Sequence, residues 1–251
     1  MIDFLPFGAE YGLHPKWSPH YRWYIRLFGI VDLPTRIRFR RLARYFTSGE
    51  YTILDVGCGT GVYSFYFSRD KRCQVLGVDI DPGWIQGAQD IARTLQRPNL
   101  AFSAGEGLST LADQPDNHFD RVLAVEVLSC VDPLDEMVQQ LYRVLKPGGQ
   151  LLGSIPVLST LRTSEVNLFD PEAFVARLNE AGFQECLGQS CLGGPQRLLS
   201  LLFGKLQPHP WLVAILFPLL LVLGSLLPGT WGGKAPHFVF RAIKPTDGGV
   251  A

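Results

Sequence analysis

The run Leu54-Asp55-Val56-Gly57-Cys58-Gly59-Thr60-Gly61 constrains this chain more than any other segment. Thr52 to Val56 reads as a buried strand and Val62 to Arg69 as a helix, so the glycines must carry the backbone from one to the other. Glycines at alternate positions reach conformations closed to residues with a Cβ, and they let backbone N–H groups press against a ligand at a helix start. A dinucleotide loop spaces its glycines G-x-G-x-x-G, whereas here they run G-x-G-x-G with an acid two residues ahead. No Gly-Lys-Ser/Thr follows, which disfavours a nucleotide triphosphate. A carboxylate beside the loop suits a cationic amino group better than a pyrophosphate. The pattern favours a nucleoside that carries an amino acid.

Beyond the loop, short apolar runs alternate with amphipathic stretches as far as Pro156, the pattern of a parallel sheet with crossover helices. Gln74 to Asp79 reads as a second strand, Pro82 to Leu95 as a helix and Leu100 to Ser103 as a third strand. Phe119 to Val125 is a fourth strand, Pro133 to Leu145 a helix and Gln150 to Ile155 a fifth strand. Asp170-Pro171-Glu172 opens another helix that runs to Ala181, Phe183 to Gln189 gives a sixth strand, and Phe238 to Ile243 a seventh. Asp79, at the tip of the second strand, can accept hydrogen bonds from both hydroxyls of a ribose, with Ile80 lying on an adenine face. Asp81 reads as the cap of the helix that follows.

These motifs resemble the class I S-adenosylmethionine-dependent methyltransferases, in the small-molecule, methyltransferase type 11-like branch. The likeness continues through Asn117-His118-Phe119-Asp120-Arg121-Val122 and Arg143-Val144-Leu145-Lys146-Pro147-Gly148-Gly149, a helix-to-strand turn in that family. It covers residues 50–156, with a weaker echo in 168–190 and 236–245. It implies an α/β, Rossmann-like seven-stranded sheet of order 3-2-1-4-5-7-6, with the seventh strand antiparallel and helices on both faces. It implies S-adenosyl-L-methionine as donor and S-adenosyl-L-homocysteine as product. Carried over by position, Asp55, Gly57, Cys58, Gly59 and Gly61 should line the methionine end, and Asp79 with Ile80 the ribose and adenine. Gly105 and Glu106 stand where the family usually places an acid near the adenine amine, and Val125 closes the fourth strand. Glu126, at that strand tip, is the first candidate for touching donor or acceptor, while Cys130 stands where a histidine often does. A sulfonium methyl is already activated, so alignment supplies much of the barrier lowering, and a base helps only a phenol or hydroxyl acceptor. His14, His20 and Tyr21 are the candidates for that base in the amino-terminal region.

Composition bounds the partners. The chain has 251 residues, 47% of them hydrophobic, and 23 basic against 23 acidic side chains, which argues against nucleic acid as a partner. Residues 1–46 hold eight Lys/Arg and three Asp/Glu, net +5, so the remainder is net −5. They read as a basic, aromatic arm or lid ahead of a methyltransferase domain over 47–251. Five scattered cysteines lack a C-x-x-C pair, so neither a metal site nor a disulfide framework is expected, and a reducing cytoplasm is the default. No signal peptide is expected at the amino terminus. The domain carries a hydrophobic insert at about 191–235, and residues 206–233 contain no Asp, Glu, Lys or Arg. Trp211 to Leu227 is nearly unbroken hydrocarbon, yet short for a bilayer span and interrupted by Pro218 and Gly224. A hairpin or re-entrant dip on a membrane surface is the leading expectation, which would suit a lipophilic acceptor. A lid or a homodimer contact on a soluble enzyme, and a non-catalytic donor-binding tether, are the alternatives.

Overall fold

A computed structural model describes residues 6–13, 18–30, 32–47, 49–157, 169–206, 210–227 and 235–246. His14, one of the candidate bases, lies outside the described residues. Two helices, α1 (Pro19–Phe28) and α2 (Leu33–Leu42), precede the sheet. Then β1 (Thr52–Val56), α3 (Val62–Phe67), β2 (Gln74–Asp79), α4 (Pro82–Thr94), β3 (Leu100–Ala104), α5 (Gly107–Ala112) and β4 (Phe119–Val125) alternate. The second half adds α6 (Leu134–Val144), β5 (Leu145–Pro156), α7 (Pro171–Glu180), β6 (Gln184–Cys191), α8 (Gly194–Leu206), α9 (Pro210–Leu226) and β7 (His237–Ile243). The seven strands form one sheet in the order β3-β2-β1-β4-β5-β7-β6. β7 is antiparallel to both its neighbours, while β1 to β5 run parallel to one another.

The period of two along β1 sorts side chains to two cores. Ile53 belongs to the apolar cluster that holds α3, α4 and the amino-terminal helices. Leu54 and Val56 belong to the cluster on the other face with α6 and α7. Asp81 caps α4 by accepting from the N–H groups of Gly83 at 2.7 Å and Trp84 at 3.1 Å, and Asp170 caps α7 in the same way.

Two expectations from the sequence are corrected by the structure. The segment Lys146-Pro147-Gly148-Gly149 is part of β5, not a turn before it. Leu145 already pairs with Phe119, the register then slips, and Gln150 resumes pairing with Arg121. Gly148 and Gly149 bond to Lys244 beyond β7, which draws the segment into the sheet. β6 runs to Cys191, two residues past its expected end, because the pairing with His237 extends it. Helix α8 fills the start of the insert.

The amino-terminal region is built into the body. Glu10 is buried and accepts from Arg69 Nε at 2.8 Å and Arg97 at 3.0 Å. Phe39 stacks on Phe7 with ring centroids 3.7 Å apart, and Phe46 on Phe67 at 3.9 Å. The arginines are not a uniform solvated set: Arg36 donates to the Phe28 carbonyl at 2.9 Å, Arg41 to the Ser190 carbonyl at 3.2 Å, and Arg38 turns inward. Arg26, Arg40 and Arg44 remain exposed.

The insert is a helical hairpin laid on α2. Along α9, Val213, Phe217 and Leu220 are buried, each worth about 1.5–3 kcal/mol. Gly224 brings the helix close enough to meet Ile37 and Leu33 of α2. Gln196 of α8, buried, donates to the Gly224 and Leu227 carbonyls at 2.9 Å each and closes the end of α9. The opposite stripe of α9 faces outward: Trp211, Ile215, Leu219, Val222 and Leu226 are all more than half exposed. Among the described residues no helix is long and apolar enough to cross a membrane.

Candidate donor-binding and acceptor site

The carboxyl ends of β1, β2 and β4 open onto a cavity of about 370 Å³, lined by Gly57, Asp79, Ile80, Gly105, Glu106, Val125 and Glu126 among others. Such a crevice at the strand ends is where open α/β sheets take ligands. Asp79 bridges the glycine loop and the second strand: one carboxylate oxygen accepts from Gly59 N at 2.7 Å, the other from Asp81 N at 3.0 Å. Ile80 is 72% exposed beside it, an apolar platform in need of cover.

The three loop glycines do different work, although all have positive φ. A Cβ on Gly59 would meet nothing within 4 Å, so its surface is open to a ligand. A Cβ on Gly57 would stand 2.4 Å from a Val127 methyl, and one on Gly61 2.6 Å from the Phe102 ring. Gly61 therefore serves packing; among the loop glycines only Gly57 is one of the cavity's lining residues. Asp55 is also turned away from the cleft. It is 2% exposed, and one carboxylate oxygen accepts from Ser64 N at 3.1 Å and Ser64 Oγ at 2.6 Å, which fixes the start of α3. Burial, with the Ser64 hydrogen bonds opposing it and Asp79 adding to it, pushes its carboxyl up to about 7. Cys58 packs half-buried against the core, its thiol pushed up by burial and by the nearby carboxylates.

His20 is exposed at the start of α1, and neither it nor Tyr21 lines the cavity. Burial and the neighbouring Tyr11 and Asp32 raise the Tyr21 hydroxyl. Tyr11, which the sequence did not single out, hydrogen-bonds Thr60 of the glycine loop, so the arm reaches the loop through that residue.

Glu126 sits at φ 59°, an uncommon conformation for a side-chain-bearing residue, and is held there from three sides. Its N–H donates to the Ser154 carbonyl at 2.9 Å, and its carboxylate accepts from Ser154 Oγ at 2.6 Å. The other carboxylate oxygen lies 2.9 Å from His237 Nδ1 and 3.3 Å from Arg38. Burial alone would raise this carboxyl. The His237 hydrogen bond, the Arg38 and His237 charges and Ser154 outweigh burial and bring it down to about 2. A carboxylate so acidic is a poor proton acceptor at neutral pH and a good electrostatic anchor. Arg38, Ser154 and His237 were not foreseen, because they come from α2, β5 and β7 and share no sequence motif.

A doubly wound sheet with one antiparallel strand, β7, next to its edge, a glycine turn after β1 and an acid at the tip of β2 define a nucleoside-binding α/β domain. Residues 53–149 match the family model described as "Methyltransferase domain". A phosphoethanolamine N-methyltransferase of Arabidopsis thaliana is 26% identical over 147 residues, 55% of this chain and 29% of that protein. A thiol S-methyltransferase of Rattus norvegicus, TMT1B, is 36% identical over 109 residues, 42% of each chain. The chain thus spans less than half the length of these relatives. A phosphoethanolamine N-methyltransferase of Haemonchus contortus, solved with S-adenosyl-L-methionine, superposes with a TM-score of 0.68 at 18% identity, covering 90% of this chain and 56% of that one. Over residues 53–149 the chain carries a methyltransferase domain, similar to the class I S-adenosylmethionine-dependent methyltransferases of the type 11-like branch, and its cofactor is S-adenosyl-L-methionine, which leaves as S-adenosyl-L-homocysteine. The residues present fit that donor: an open glycine for the methionine end, a strand-tip carboxylate for the ribose, and an exposed Ile80 for the adenine.

Proposed function

We propose that this chain transfers the methyl of S-adenosyl-L-methionine to a small lipophilic acceptor, such as a quinone, phenol, lipid or isoprenoid, at a membrane surface. The donor supplies an activated methyl. The chain's task is to bind the donor with Gly57, Gly59, Asp79, Ile80, Gly105, Glu106 and Val125 and to align the acceptor beyond Glu126. The small acceptors in the names of the relatives, a thiol and a phosphoethanolamine, support a small acceptor here.

The observation that carries the membrane reading is the outward stripe of the hairpin. Trp211, Ile215, Leu219, Val222 and Leu226 of α9 stand exposed with Leu198, Leu201 and Leu202 of α8. Tyr24 bonds α1 to the Val213 carbonyl at 3.4 Å, and α1 adds Trp23 and Leu27, also exposed. So many large apolar side chains exceed what a monomer in water normally leaves uncovered. A hairpin lying in the interface, with its inner stripe on α2, buries the outer one in lipid. The protein would then sit on the cytoplasmic face, attached peripherally or monotopically.

The test supplies purified protein and methyl-labelled S-adenosyl-L-methionine with a total lipid extract or a soluble metabolite extract, using Asp79→Ala as control. Label in the organic phase, absent in the control, and co-sedimentation with liposomes are expected. Label confined to the aqueous phase, with a monodisperse dimer in the ultracentrifuge without detergent, would assign the stripe to a second copy and overturn the membrane reading.

A further inference from the structure

We propose that His237, oriented by Glu126, is the catalytic base of this site, and that the acceptor is therefore a neutral hydroxyl or thiol that must lose its proton as it is methylated. The inference rests on the methyltransferase reading and deepens it.

The geometry fixes the tautomer. A carboxylate can only accept, so the 2.9 Å contact between Glu126 and His237 Nδ1 places the ring proton on Nδ1. The Arg38 guanidinium, 3.5 Å from the same nitrogen, would need a lone pair there and is the longer contact. The lone pair is then on Nε2, which makes no hydrogen bond to a described residue, while the side chain keeps 14% of its surface. A histidine held at Nδ1 by a carboxylate, with no hydrogen bond at Nε2 among the described residues, is the arrangement that accepts a proton from a substrate and has the resulting charge stabilised.

The fold sets Glu126 in the wall of the donor cavity, with His237, itself not among the lining residues, 2.9 Å behind it. Glu126 lines the cavity at the end of β4. His237 opens β7, paired with Pro156 at the carboxyl end of β5 and Cys191 at the end of β6. The groups facing the ring are Glu126, Arg38 from α2 and Cys191. Tyr63 of α3 is in electrostatic reach of Arg38, Glu126 and Cys191. Its buried hydroxyl has no hydrogen-bond partner among the described residues. The hairpin packs on α2, the helix that supplies Arg38.

The step balances without another reactant. The acceptor's O–H or S–H proton passes to His237 Nε2 as its oxygen or sulfur forms the bond to the methyl. The donor's S–CH3 bond breaks, and its electron pair stays on the departing thioether sulfur. The proton later leaves Nε2 for water.

The experiment compares two probe acceptors, an alkylphenol that is un-ionised at neutral pH and its nitro-substituted counterpart that is already ionised there. Wild type, His237→Gln and Glu126→Gln are assayed with labelled donor, and donor binding by calorimetry together with circular dichroism establishes that each variant is folded. Removing a general base costs about 100-fold or more, so the alkylphenol-to-nitrophenolate rate ratio should fall about 100-fold in His237→Gln, and the acid limb of the alkylphenol pH–rate profile should vanish. Glu126→Gln should lower the same ratio by a smaller factor. Equal losses for both acceptors in folded variants, or no loss, would overturn the proposal and leave the cluster as a structural tie between α2 and the sheet. If wild type uses neither probe, the acceptor from the labelled-extract assay replaces them. An acceptor methylated at an atom that carries no proton would overturn the base while sparing the methyltransferase reading. No labelled product from any extract, despite donor binding, would overturn both.

Discussion

The loop glycines allow the roles of fold and ligand to be separated by a single methyl group. Gly59→Ala and Gly61→Ala both place a Cβ at positive φ, +55° and +77°, at a conformational cost of about 1–2 kcal/mol in each case. That cost is common to the two and cancels in the comparison. At Gly61 the new methyl must also displace the Phe102 ring, 2.6 Å away, and it stands 3.3 Å from Phe65, whereas at Gly59 it enters open space. Overpacking of a filled core adds about 1–3 kcal/mol. Urea unfolding without donor should therefore show Gly61→Ala less stable than Gly59→Ala by about 1–3 kcal/mol. Calorimetry with S-adenosyl-L-methionine should reverse the order of damage: with Gly59 proposed to face the donor, Gly59→Ala, whose Cβ enters open space, should bind at least tenfold more weakly, while folded Gly61→Ala should lose less. Equal destabilisation, or a donor affinity untouched by Gly59→Ala, would refute the division of labour.

Other perturbations follow from the same geometry. Glu10→Gln leaves Arg69 and Arg97, 6% and 13% exposed, without their carboxylate and should cost about 3–5 kcal/mol in chemical denaturation. Burial opposes ionisation of Glu10, but the Arg69 hydrogen bond and the two arginine charges prevail and lower its pKa below 4.5. Its contribution is thus complete above that pH and lost as pH falls through the lowered value, an acid-side loss that Glu10→Gln should abolish. Asp55 behaves oppositely. With a folded pKa of about 7 against 3.8, the native state holds a proton that the unfolded chain releases, so stability should fall as pH rises across that window. Asp55→Asn should flatten that slope in a series of melts. The double variant Ile215→Glu/Leu219→Glu, on the exposed stripe, should leave stability within about 0.5 kcal/mol and reduce liposome binding at least tenfold; unchanged sedimentation would count against lipid contact.

What the sequence determined by itself is local. The glycine spacing after an apolar run specifies a turn from strand to helix, because only glycine reaches those backbone angles in succession. Asp81 and Asp170 announce their helices, because a carboxylate before Pro satisfies free N–H groups whatever surrounds it. Alternation and turn residues in 51–156 made the five parallel strands legible, and the motif likeness supplied their order. What only the tertiary structure decided is whatever depends on partners distant along the chain. Helix α9 is apolar on all sides, so no periodicity could say that Val213, Phe217 and Leu220 face inward and Ile215 and Leu219 outward; the contact with α2 made that choice. Asp55 and Gly61 carry the motif yet serve packing, because Ser64 and the Phe102 ring occupy the space beside them. His237 and Arg38 stand 199 residues apart in sequence and meet at Glu126 because the antiparallel β7 returns beside β5 and α2 folds over both. A charge pair of that kind leaves no mark on composition, spacing or period. It exists only when the sheet order has brought the strand ends together.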